Sequence, residues 1–127
     1  GLIPEPELIV EGDFQPKGGR EGILKLVELA EPPTAVIASN NLEAIGALSA
    51  LREKGLDVPR DISLVCFDDL GLASQVYPFL TVVAQPVRTM GTVAAQLALE
   101  RLEGVAEKER EVVMQMTLVE RKSCRRV

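Results

Sequence analysis

The chain has 127 residues, 46% of them apolar and 26% charged, a balance that suits one folded domain rather than a disordered segment. Its net charge of −5 leaves it without the clustered Lys and Arg that neutralise phosphates, so by itself it is not expected to grip DNA or anionic lipid. It has no histidine, which removes His-based triads, His metal sites and the commonest general base, and no apolar run approaches the roughly 20 residues that cross a bilayer.

The opening, GLIPEPELIVEGD, is acidic and interrupted by proline, with neither a basic leader nor an apolar signal core. Without a start methionine it reads as the middle of a larger protein. Residues 7–11 (ELIVE) form a short apolar run bounded by Pro6 and Gly12, the pattern of a buried strand. A helix is expected from Gly18-Gly19, with Ile23, Leu26, Val27 and Ala30 on one face, until Pro32-Pro33 stops it. Residues 34–38 (TAVIA) are continuously apolar, as in a strand covered on both faces.

Asn40 is a good N-cap for a second helix, and Glu43 three residues on completes an Asn variant of the capping box. Leu42, Ile45, Leu48 and Leu51 follow at helical spacing, and Gly55 ends the helix. Residues 62–67 (ISLVCF) predict a third strand, and an irregular stretch with Tyr77-Pro78 leads to another at 81–83. Cys66 and Cys124 form no CxxC pair, so Cys66 is read as a reduced core residue and a reducing cytoplasm is favoured. Pro86 suits the first turn of a third helix carrying Met90, Ala94, Leu97, Ala98 and Leu102. Gly104 breaks it, 107–111 is a charged loop, and 112–118 alternates like a half-exposed strand. The basic residues Arg121, Lys122, Arg125 and Arg126 read as a frayed, solvated tail.

Apolar strands alternating with helices predict an α/β domain with a mainly parallel sheet. Ligands of such sheets bind outside the carboxyl ends of the strands. Phe14, Asn40 and Asp68 follow the first three predicted strands, bringing an aromatic ring, an amide and a carboxylate to one rim. That set suits a hydroxyl-bearing ligand such as a sugar or nucleoside. Each residue also has a purely structural reading: Asn40 as a helix cap, Asp68 or Asp69 as turn formers, Phe14 as packing on the next helix. Adjacent strand residues point to opposite faces, so Asp68 and Asp69 do not make a catalytic pair without a bend. No nucleophile elbow or phosphate loop is present, and Gly18-Gly19 lacks the full anion-binding pattern, so neither an enzyme nor a cofactor or metal site is expected.

Three stretches, ASNNLEAIGALSALREKGLDVPRDISLVCFDD, YPFLTVVAQPVRTMG and LVERKS, together resemble the sensor domains of lactose/galactose-repressor (LacI/GalR) family transcription regulators. The resemblance covers essentially the whole chain, including GDF near its start. It implies a periplasmic-binding-protein-like fold of two α/β subdomains closing on a small effector. Residues 1–84 would belong to the C-terminal subdomain, 85–111 would cross over and pack in the other, and 112–127 would return. The helix-turn-helix that reads DNA would lie outside this chain. Phe14, Asn40 and Asp68 match effector-contacting positions of the family, whereas Asn41 replaces its usual aspartate and Cys66 its usual glycine. Homodimerisation is implied through the helices starting near Gly19 and Asn41 and through residues 76–83. The many apolar positions around the second helix point the same way. The helix from Pro86 would either fold back on its own sheet or leave Met90, Val93, Leu97 and Leu102 for a partner. The competing reading is an exported sugar-binding protein serving a transporter, which shares the fold.

Overall fold

The computed structural model describes residues 5–69, 71, 79–104 and 110–126. Four strands, Ala35–Ala38 (β1), Ser63–Phe67 (β2), Thr81–Ala84 (β3) and Thr117–Val119 (β4), are hydrogen-bonded in that order in one sheet. β1, β2 and β3 run parallel, with Ala38 beside Cys66 and Val65 beside Thr81, and β4 returns antiparallel to β3. Among the described residues the α-helices are Pro16–Val27 (α1), Asn41–Glu53 (α2) and Val87–Leu102 (α3). Parallel neighbours need a crossover, and α2 supplies it between β1 and β2. The mainly parallel α/β architecture expected from the sequence is the one found.

Two buried clusters hold the layers together. Ala44 of α2 packs with Ala38, Leu64, Cys66, Leu80 and Val82 on the sheet. Ile23 of α1 packs with Ala47, Ala50 and Leu51 of α2 and with Ile62. The helices meet through glycines: a Cβ at Gly19 would lie 2.0 Å from the Glu43 carbonyl oxygen, and one at Gly46 only 1.8 Å from the Pro16 oxygen. The face α2 buries is therefore made of small residues, Ala44, Gly46, Ala47 and Ala50, with Leu51. Of the apolar positions at helical spacing, Leu51 is buried and Leu48 packs partly against the core, while Leu42 and Ile45 stand exposed. Close backbone approach, and not side-chain bulk, selects the buried side.

α1 begins at Pro16, earlier than Gly18-Gly19 suggested, because the Asp13 carboxylate accepts from the N–H groups of Gln15 and Gly18 and caps its first turn. The expected strand at 7–11 does not form: Pro6–Leu8 is a short 3₁₀ turn and Ile9 is exposed. A strand exists only beside a partner, and a cavity of about 700 Å³ separates residues 8–12 from β1, over Ile23, Leu26 and Ala47. β1 is accordingly an edge strand. Val36 and Ala38 face α2, but Ile37 on the other face is 72% exposed, so the expectation of cover on both faces fails.

At the other end, only Thr117–Val119 of the expected 112–118 strand pairs with the sheet. Residues 112–116 instead lie against α3, where Met90, Val93 and Leu97 face Val112, Met114 and Met116 across a cavity of about 260 Å³. α3 buries none of its residues and does not fold back over the sheet. Pro86 takes the N-cap position itself. The tail is not frayed, contrary to its basic composition. Ser123 is fully buried, accepting from the Thr81 N–H at 2.7 Å and donating to the Leu64 carbonyl at 2.6 Å. The Leu64 N–H in turn donates to the Ser123 carbonyl at 2.9 Å. β3 reaches only to Val65 on β2, and the tail satisfies the main-chain groups beyond it.

The helix crossing is open to test. Gly46→Ala should lower stability by about 1–3 kcal/mol or more, since its methyl meets backbone and not a flexible side chain. Gly91→Ala, in open space on α3, should leave stability unchanged or raise it by up to about 1 kcal/mol. Denaturant titration of both variants checks the opposite signs.

Candidate functional site

The rim at the carboxyl ends of β1 and β2 carries the residues singled out from the sequence. Asn40 follows β1 and caps α2: its Oδ1 accepts from the Glu43 N–H at 2.8 Å, as a capping residue should. Its Nδ2 donates to the Phe14 carbonyl at 3.0 Å. One amide N–H and one lone pair remain for a ligand. The neighbouring Asn41 donates from Nδ2 to the Asp69 carbonyl at 3.2 Å, tying the end of β1 to the turn that follows β2. The three nominated residues are thus linked through a short run of hydrogen bonds, with Asp68 reached through its neighbour.

Glu43 departs from the capping-box expectation. Its carboxylate does not return to the Asn40 N–H. Oε1 instead accepts from the Phe14 N–H at 3.0 Å, and Oε2 accepts from the Ser39 hydroxyl at 2.5 Å. Glu43 is buried, and the carboxylate lies against Gly12, where any Cβ would come within 2.0 Å of Oε1. The sequence offered only its capping spacing as a signal. Its partner is 29 residues away, which no local pattern reveals.

Phe14 and Asp68 are the non-glycine residues with positive φ among the described residues, at 59° and 66°. Such a conformation costs of order 1–3 kcal/mol for a residue with a side chain and persists only where partners over-determine it. Phe14 is held at both its N–H and its C=O, and the residue is 62% exposed. The Asp68 N–H donates to the Val83 carbonyl at 3.1 Å, and Oδ1 accepts from Gln85 Nε2 at 2.5 Å. Gln85 was not among the expected site residues. It lies just past the end of β3, next to the same rim.

Asp69 is engaged elsewhere: both aspartates lie beyond the end of β2, and the chain bends between them at the left-handed Asp68. Asp69 takes a bidentate pair from Arg121, Nη1 to Oδ1 at 2.8 Å and Nη2 to Oδ2 at 2.5 Å, while Nη1 also donates to the Leu80 carbonyl. The Arg121 pKa is raised further, chiefly by this hydrogen bonding to Asp69; burial opposes it, and the carboxylate's charge adds a lesser upward push. Arg121 is therefore a structural fork and not a solvated tail residue. The 700 Å³ cavity beside β1 includes Phe14 and Glu43 but neither Asn40 nor Asp68. It follows the open sheet edge and is distinct from the rim. Among the described residues no cluster of acidic, Cys or His groups could hold a metal ion, and no helix is long and apolar enough to cross a membrane.

Asn40 and Asp68 thus lie at the carboxyl ends of β1 and β2, with Phe14 brought beside Asn40 by the loop that precedes α1. The periplasmic binding protein-like domain matches residues 1–124, and the chain belongs to that family. It is 34% identical over 123 residues to the HTH-type transcriptional repressor PurR of Erwinia tasmaniensis, covering 97% of this chain and 36% of that protein. A LacI transcriptional regulator structure from Bacillus cereus subsp. cytotoxis matches with a TM-score of 0.90 and 30% identity, over 98% of this chain and 44% of that one. A LacI family regulator from Enterococcus faecium with bound ribose matches at 0.79 and 28%, over 91% and 42%. The chain thus spans little more than a third of the curated repressor's length. These relatives are LacI-type transcriptional regulators, as the motifs led us to expect.

Cys66 lies beneath the rim, its thiol 3.6 Å from the Asp68 carbonyl. Burial, and then the charges of Asp69 and Asp68, push that thiol from 9.0 up to about 11. An unfolded thiol releases its proton near pH 9 while the folded one keeps it to about 11. The native state holds the extra proton in that window, so stability should fall as pH rises across it, by roughly 2–3 kcal/mol in total. Urea titrations between these pH values, compared with Cys66→Ala, should show this part of the decline disappearing in the variant.

Proposed function

We propose that this chain is the effector-sensing part of a ligand-responsive, DNA-binding transcriptional regulator of the cytoplasm, and that it catalyses no reaction. The observation that carries the reading is the pair of strained rim residues, Phe14 and Asp68, held beside Asn40 at the strand ends. Strain at a rim whose partners over-determine it is characteristic of a binding site. The effector is a small hydroxylated molecule such as a sugar or nucleoside. The Phe14 ring packs on its C–H face, Asp68 accepts from its hydroxyls, and the free N–H of Asn40 donates to it. The ribose bound by the Enterococcus faecium regulator supports a ligand of this chemistry.

DNA contact belongs to a helix-turn-helix outside these 127 residues. Residues 1–84 form one subdomain, 85–111 cross to a second that completes the cleft, and 112–127 return. That α3 buries none of its residues supports that division. Similarity to a helix-turn-helix repressor favours regulation over the alternative of an exported transport receptor. The regulator is a homodimer, joined through α1, α2 and residues 76–83, of which 76–78 lie outside the described residues. Exposed Leu42 and Ile45 on α2 support that surface.

Two measurements on the full-length protein test the proposal. Asp68→Ala should weaken effector binding roughly 10- to 100-fold, as for a lost hydrogen bond to a charged group. Calorimetry with ribose and a panel of hexoses and nucleosides reads this, and unchanged affinity in a folded variant removes Asp68 from the site. Ile45→Asp should shift the dimer toward monomer in light scattering at micromolar concentration. A monomer mass in the parent protein would sink the dimer.

A further inference from the structure

We infer that Glu43 is the positioning residue of the effector site, setting the affinity for ligand by holding Phe14 in place without touching the ligand itself. The inference rests on the effector-site reading above and extends it to a residue outside the nominated set. The Phe14 backbone is gripped on both sides: its N–H by the Glu43 carboxylate and its C=O by the Asn40 amide. Asn40 is itself fastened to the first turn of α2 by the Glu43 N–H. One residue therefore anchors both grips, the first through its side chain and the second through its backbone.

Three features mark the side-chain grip as specific. A carboxylate is rarely buried unless paired or hydrogen-bonded, and that of Glu43 accepts from the Phe14 N–H and the Ser39 hydroxyl. Room for it exists because residue 12 is glycine. Its reward is a phenylalanine at φ 59°, a conformation a β-substituted residue leaves unless it is held. Released, the 12–15 loop relaxes toward ordinary φ and carries the exposed ring away from the rim. Holding the ring in advance removes an ordering cost from binding.

The test has a ligand-free arm and a ligand arm, both on the full-length protein. Glu43→Leu keeps the side chain's bulk and removes both acceptors, whereas Glu43→Gln keeps an acceptor for the Phe14 N–H. Amide exchange at Phe14, followed by NMR, should accelerate roughly 10- to 100-fold in the Leu variant and recover most of its protection in the Gln variant. Amides of β2 serve as the control for global unfolding. Unchanged Phe14 exchange in a folded Glu43→Leu variant overturns the inference. The ligand arm is a double-mutant cycle with ribose and, where ribose does not bind, the tightest member of the panel. Glu43→Leu should weaken binding about tenfold in the parent and leave it unaltered in a Phe14→Ala background. Equal losses in both backgrounds mean that Glu43 does not act through Phe14, which also overturns the inference. No loss on Phe14→Ala alone refutes instead the placement of Phe14 in the site, and the inference with it, while leaving the clamp measured by exchange intact.

Discussion

The crossing of α1 over α2 leaves no space for a methyl group on either helix, and the remaining geometry follows from that. Because Gly19 rests on the Glu43 carbonyl and Gly46 on the Pro16 carbonyl, the first turn of α2 lies directly under the entry to α1. The Glu43 carboxylate then has one place to go, beside Gly12 and beneath the Phe14 N–H. The aromatic loop, the cap of α2 and the strand end it follows are fixed together as a unit. A single bulky residue at the crossing would separate the helices and, with them, the two sides of the rim.

Much of the fold was legible because it depends on local periodicity. The apolar runs of β1, β2 and β3, the N-cap at Asn40 and the break at Gly55 announce themselves within a few residues. What was not legible depends on neighbours. Residues 7–11 have the composition of a strand, yet the space that a partner strand would fill is a cavity. Leu42 and Ile45 are placed at helical spacing, yet the buried side of α2 is selected by glycine and alanine, whose small size matters only once another helix is known to lie there. The C-terminal arginines look solvated until Asp69, 52 positions earlier, is seen in the fork of Arg121. Charge alone does not tell a tail from a clasp.

The proximity of the three candidate residues was legible more than the bonds that hold them. Topology assigned Phe14, Asn40 and Asp68 to one edge, and the structure joins Phe14 and Asn40 directly while reaching Asp68 through Asn41 and Asp69. The left-handed backbone at Phe14 and Asp68 carried no glycine or asparagine to signal it. Asp68 further engages Gln85, which stands at the threshold of α3. One oxygen of the Asp68 carboxylate therefore ties the end of β2 to the segment that leaves the sheet.

The clasp of Ser123 has a consequence for the order in which the molecule comes together. The Leu64 N–H and C=O and the Thr81 N–H sit inside the sheet, and all have their partner in Ser123, 59 residues beyond Leu64. During synthesis the ribosome releases β2 and β3 long before that serine emerges. Until it does, these amide groups must stay in water or borrow other partners, because leaving them buried and unmatched is costly. The sheet is thus finished by its most distant piece of sequence, a non-local closure of the kind that slows folding and leaves strands available to the wrong neighbours meanwhile. Trimming a few seemingly dispensable residues beyond Glu120 would leave the nascent sheet permanently in that unfinished condition.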